Sequence, residues 1–148
     1  MTEVILTRYI HFISIMIVFA MVVAEFVLIQ QKISRKMVKR LFVVDGIYGA
    51  FSLILVGAGL YLWLGGLDKP AAYYNQNIFI YLKIGLFLLV GILSLWPTRF
   101  YFKNRKGDPE ELLEVPRYIK RVILLELVLL VIIPVLATLM SRGYGMLH

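Results

Sequence analysis

The chain contains no cysteine, and that absence removes several chemistries at once. Without a thiol there is no disulfide, no thiolate metal ligand, no iron–sulfur cluster and no covalent c-type haem attachment. Histidine is nearly as scarce, with His11 and His148 the only two. Acidic residues are few, 9 against 16 Lys and Arg, and three of them sit inside apolar sequence where a carboxylate is least comfortable.

Apolar surface is what the sequence has in excess. Of 148 residues 61% are hydrophobic and 17% charged, with a mean hydropathy of +0.84. A soluble domain of this length has too little interior to hide that much apolar area. The length suits one domain, 1–148. Its hydrophobic residues gather in four runs, about 5–29, 41–64, 78–100 and 118–140. Each reaches the roughly 20 residues needed to cross about 30 Å of hydrocarbon as a helix. Membrane strands would be about half as long and would alternate in polarity. The expected fold class is therefore all-α, an integral membrane four-helix up-and-down bundle in contact with the lipid bilayer. The first run follows an acidic leader, Met1-Thr2-Glu3, and reads as a retained helix rather than a signal peptide.

A net charge of +7 invites a nucleic-acid reading, but the cations cluster between apolar runs instead of coating a soluble face. Lys32, Arg35, Lys36, Lys39 and Arg40 separate the first two runs; Arg99, Lys103, Arg105, Lys106, Arg117, Lys120 and Arg121 flank the third connection. The other side has Lys69, Arg8 and Arg142. Nucleic acid is not an expected partner. The positive-inside rule places both basic connections in the cytoplasm and both termini outside. Trp63, Tyr61, Tyr73, Tyr74 and Tyr81 suit the outer interface, and Trp96, Tyr101 and Tyr118 the inner one. In the connections, Tyr73-Tyr74-Asn75 reads as a patch lying on the outer surface, and Asp108 as the cap of a short amphipathic turn ending before Pro116.

Every run carries ionisable residues that a purely apolar span would lack: His11 and Glu25, then Asp45, Lys83 and Glu126. A charge inside hydrocarbon costs roughly 2.5–3.5 kcal/mol on insertion scales, so such residues face the bundle interior and mark a candidate site. At 100° per residue, Arg8, His11, Ser14 and Glu25 fall on one stripe spanning about 60° either side of His11. Asp45, Tyr48, Gly49 and Ser52 share a face of the second helix, beside a Gly46, Ala50 and Gly57 strip suited to close helix contact. Lys83, Ser94 and Pro97 share a face of the third.

Depth splits these groups into two layers. His11 and Lys83 lie roughly 8–9 Å inside the outer boundary, with Arg8 and Arg142 within reach. Glu25, Asp45 and Glu126 lie roughly 6–12 Å from the inner boundary and read as structural rather than as a proton path or metal site. Glu25 and Asp45 are each expected to meet an Arg, Lys, Tyr or backbone donor from another helix, with Arg40, Arg99 and Arg121 available for ion pairs. The outer layer pairs an imidazole with cations and so calls for something anionic. A porphyrin supplies that: His11 would be the axial metal ligand, and Arg8, Lys83 and Arg142 would hold the propionates. With two histidines at most one haem b fits, five-coordinate or with Met16, Lys83 or His148 as a weak second ligand.

The residues Arg8-Tyr9-Ile10-His11-Phe12, Arg40-Leu41, Tyr48-Gly49 and Tyr81-Leu82-Lys83-Ile84-Gly85 resemble a family of small bacterial four-helix membrane proteins of unassigned function, along nearly the whole chain. That resemblance implies the bacterial cytoplasmic membrane. More distantly the chain is similar to the HemJ-type protoporphyrinogen IX oxidases, in which a first-helix histidine and a third-helix lysine are essential; His11 and Lys83 match them. The likeness implies a b-type haem or porphyrin, a catalytic role for Lys83, and a quinone or porphyrin as partner. Where the oxidases carry an aromatic, proline- and arginine-containing segment, this chain has Val22-Val23-Ala24-Glu25-Phe26-Val27-Leu28. Two readings follow. One is a haem- or porphyrin-binding redox protein. The other is a non-catalytic membrane module, whether subunit, proton path or small-molecule permease, and self-association into a homo-oligomer fits either.

Overall fold

A computed structural model describes residues 1–147; His148 lies outside the described residues. Four long helices carry the fold: α1 (Thr2–Leu28), α2 (Arg35–Leu64), α4 (Ile78–Asn104) and α5 (Arg117–Ser141), with a short α3 (Ala71–Asn75) between the middle pair. All four long helices are long and apolar enough to cross a membrane. They overrun the apolar sequence at the basic end. The second begins at Arg35 rather than 41, because Ser34 Oγ accepts from Met37 N–H and caps the basic stretch as a first turn. The third runs on to Asn104 rather than 100.

The packing makes a four-membered ring: α1 lies on α2 and α5, and α4 lies on α5 and α2. Each helix buries one stripe. In α1 it is Ser14, Val18, Val22 and Glu25; in α2 Val38, Leu41, Asp45, Tyr48 and Leu55; in α5 Ile119, Ile123, Glu126 and Leu129. Steps of three and four residues keep such a stripe on one side of a helix with 3.6 residues per turn. The remaining surface is apolar and exposed, as with Leu53, Leu88 and Val131. That is an orderly arrangement when the outer solvent is lipid. The Gly46, Ala50 and Gly57 strip departs from expectation. It lies on the exposed side of α2, and a Cβ added at Gly46 or Gly57 meets nothing within 4 Å, so it closes no helix contact within this chain.

Both ends are tied. At the basic end β1 (Lys32–Ser34) and β2 (Leu112–Glu114) pair antiparallel, Ile33 opposite Leu113. The turn expected after Asp108 is there, with its carboxylate accepting from Glu110 N–H at 3.0 Å, but it leads into this ribbon rather than an amphipathic helical turn. Arg35 locks the same loop. Its Nη1 donates to the carbonyls of Asn104 and Lys106, both at 2.7 Å, and its Nη2 to Glu111 at 2.6 Å. Gly107, at φ +133°, lets the loop pass so close that a Cβ there would lie 2.7 Å from Arg35 Nε. At the opposite end the Tyr73 hydroxyl donates to Met140 O, and Asn77 bonds both the Tyr144 carbonyl and the Phe79 N–H. The N-terminus, α3 and the C-terminal tail thus share one end of the bundle, and the two basic connections share the other.

Candidate functional site

Glu25, Asp45 and Glu126 occupy interior stripe positions of three different helices, where backbone geometry gives them no route outward. All three are buried, at 2, 6 and 1% exposure. The Glu25 and Asp45 carboxyl groups come within hydrogen-bonding reach of each other, and Glu126 is close enough to bear on Glu25. The fourth helix completes the cluster. Thr98 of α4 donates its hydroxyl to Asp45 Oδ2 at 2.6 Å. Tyr101, wholly buried, comes from the same helix within the electrostatic reach of the three carboxylates without bonding any of them.

The expected ion pairs are not formed. Among the described residues the salt bridges are Arg8–Asp68 and Arg35–Glu111, and none reaches the three carboxylates. Arg40, Arg99 and Arg121 are exposed, because each falls on the outward side of its helix rather than on the stripe. The carboxylates therefore face one another, a threonine and two tyrosines, with no cation among them. Two carboxyl groups in contact are compatible in a low-dielectric interior when a proton is shared between them. Among the described residues no three carboxylates or imidazoles come together as a metal-ion site.

Some partners in the cluster are missing. Glu25 Oε1 and the Tyr101 hydroxyl are buried without a hydrogen-bond partner, as is Ser14 Oγ further along the interior. Buried polar groups left over in this way are where a protein holds water or an ion. Above the cluster, Tyr48 is buried, Ser52 Oγ is a further buried hydroxyl without a partner, and Ser94 Oγ is spent on Gly91 O at 2.6 Å. The interior is thus polar through successive turns, from Tyr101 and Thr98 through Ser94 and Tyr48 to Ser52 and Ser14.

The outer layer closes this series. His11 Nδ1 lies 3.2 Å from Leu55 O. A carbonyl can only accept, so Nδ1 carries the proton and Nε2 is left free. Gly59 makes room for the ring; a Cβ there would come 3.0 Å from His11 Cε1. The charge of Lys83 on α4 is felt at the imidazole, with no hydrogen bond between the two among the described residues. It places the other outer residues elsewhere. Arg8 Nη1 donates to Asp68 Oδ1 at 3.3 Å, in an exposed pair that the Tyr74 hydroxyl also reaches. Burial and then the Asp68 charge push that tyrosine above its ordinary value, so it stays a neutral donor. Arg142 is exposed at the end of α5. Met16, at 65% exposure, faces out of the bundle.

Thr98 and Tyr101 were not legible as site residues in the sequence. Tyr101 reads as an interface tyrosine because it lies near the end of an apolar run, yet it is buried. The signal that separates the two is spacing: Lys83, Phe87, Val90, Ser94, Pro97 and Tyr101 step by three and four along one side of α4.

No curated protein and no solved structure matches the chain. Residues 3–145 match the family described as "Predicted membrane protein (DUF2214)". A match over nearly the full length, on a chain with four helices able to cross a membrane and a polar interior, makes the conclusion plain: the protein belongs to that membrane-protein family.

Proposed function

We propose that this chain is a proton-handling protein of the bacterial inner membrane, its termini outside, in which the Glu25, Asp45 and Glu126 cluster binds and releases protons. The observation that carries the reading is a pair of buried carboxyl groups in reach of each other, Glu25 and Asp45, with a third, Glu126, buried nearby on another helix and no cation bridging any of them. Such a cluster is costly as a structural device, because ion-paired or apolar residues would hold helix register at less expense. Its members can exchange protons directly and through Thr98, which is bonded to Asp45, and the buried hydroxyls of Tyr48, Ser52 and Ser14 continue the polar series towards His11. The free Nε2 of His11 can take a proton at the outer end.

The test is proton flux into liposomes holding the purified protein, driven by a potassium diffusion potential and followed by an entrapped pH dye. The unsubstituted chain should acidify or alkalinise the lumen according to the sign of the potential. Glu25→Gln and Asp45→Asn should fall to the protein-free rate. Flux that never exceeds that rate, or that survives both substitutions, overturns the reading.

One observation favours a second reading. Donation from His11 Nδ1 to Leu55 O leaves Nε2 as a lone-pair donor, the arrangement an axial histidine needs. His11 would hold the iron of a b-type haem through Nε2, and Lys83 would hold a propionate. Arg8, held by Asp68, and exposed Arg142 fit less well. When bound, haem would supply one-electron chemistry, with quinone or porphyrin as the exchanging partner, as the likeness to the oxidases implies. In that case Lys83 would bind substrate or propionate. An absorption spectrum separates the readings: a porphyrin band lost in His11→Ala supports haem, and a colourless protein made with ample haem leaves the proton reading alone.

A further inference from the structure

The basic end holds twelve Lys and Arg, and the structure shows what occupies several of them. Arg35 is spent on the loop carbonyls and Glu111. Arg105 donates to Phe102 O and lies over the rings of Phe42 and Phe102. Lys120 reaches Ile29 O at the end of α1 and the Phe26 ring. Arg99 and Lys103 are different. They stand four residues apart on one side of α4, and among the described residues neither has a carboxylate partner.

These two cations line a cavity of about 240 Å³ between α4 and the start of α5, together with Trp96, Phe100, Asn104 and Tyr118. Among the described residues the Trp96 indole and the Tyr118 hydroxyl have no protein acceptor, in contrast to Trp63, whose indole donates to Asn75. The Asn104 amide is turned away onto Phe100 O. The cavity thus presents an unmatched set of donors: a guanidinium, an ammonium, an indole N–H and a phenol. It also sits where the apolar stretch of α4 gives way to polar sequence, at headgroup level, with half-exposed aromatics of the kind that favour that depth.

We propose that this groove is a binding site for the phosphate of an anionic phospholipid. Arg99 and Lys103 take the charged oxygens, Trp96 and Tyr118 donate to the remaining headgroup oxygens, and the lipid chains lie along exposed Leu89, Ile92 and Leu125, which continue the groove's sides of α4 and α5 towards the middle of the bundle. The lipid matters to the rest of the molecule because α4 also carries Thr98 and Tyr101, so an occupied groove fixes the helix that completes the interior cluster.

The experiment is native mass spectrometry of the full chain taken from nanodiscs of equal phosphatidylglycerol and phosphatidylcholine. The unsubstituted protein should retain phosphatidylglycerol in preference. Two lost cations should reduce that preference roughly thirtyfold in R99A/K103A. K36A/K39A removes two exposed cations at the same end but outside the groove, and should leave the preference nearly intact. Equal retention of both lipids by the unsubstituted chain overturns the proposal whether or not the variants fold. So does an equal loss in both double variants, which marks a diffuse basic surface. Displacement of the lipid by inorganic phosphate at matched concentration overturns it in favour of a free-phosphate site.

Discussion

Thr98 has one hydroxyl proton and two acceptors, Asp45 Oδ2 at 2.6 Å and Ser94 O at 2.8 Å. It can give its proton to the carboxylate, or give it to the backbone and accept one from a protonated Asp45, so it adapts to either state of the cluster. Thr98→Val keeps the shape and loses both roles. The lost bond to a buried carboxyl should cost about 1–2 kcal/mol, read as a lower Tm in one detergent, and Thr98→Ser should recover most of it. Tyr101→Phe should do the opposite. Its hydroxyl has no partner, so removal should leave stability within about 0.5 kcal/mol or raise it. A large loss would mean that the hydroxyl is bound after all. The five ionisable positions were legible in the sequence because each lies well inside an apolar run. Their partners were not. Composition suggested Arg40, Arg99 and Arg121 as counter-charges, but a side chain's angular position is decided by which stripe packs inward, and all three fall outside it.

At the scale of elements, the helices were readable and the connections were not. Four long apolar runs can only be helices in a membrane, and their ends moved by a few residues through capping at Ser34 and helical continuation to Asn104. The β1–β2 ribbon has three residues a side and no hydrophobic alternation to reveal it. It exists because Arg35 gathers the third connection onto the first. Arg35→Ala should release that loop at a cost of about 2–3 kcal/mol, the scale of a charge-assisted bond at a largely buried donor. Arg35→Lys should not rescue it, since one ammonium cannot span two carbonyls and a carboxylate as a fork does. Limited proteolysis between Arg105 and Glu111 reads the release directly. Cleavage no faster than in the unsubstituted protein would remove Arg35 as the clamp. Gly107→Ala should open the same loop, by placing a Cβ against Arg35 at a φ that alanine rarely adopts.

The whole molecule is asymmetric in charge. Twelve Lys and Arg and four Asp and Glu sit at the end closed by the β ribbon, while the end holding α3 and the chain ends has three cations. Moving one cation against a potential of about 100 mV costs about 2.3 kcal/mol, and this cost is the argument for the proposed orientation with the ribbon in the cytoplasm. The absence of cysteine makes this easy to measure, because any thiol introduced is the only one. Lys106→Cys sits in the loop held by Arg35, and Gln76→Cys sits at the opposite end beside the tail. A membrane-impermeant maleimide added to intact cells should label Gln76→Cys at once and Lys106→Cys only after the membrane is opened. Reversed labelling would place the termini inside and put His11 in the cytoplasmic leaflet, turning any proton route end for end. Labelling of both from one side would contradict the ring of four crossing helices, since the two positions are separated by the full length of α4.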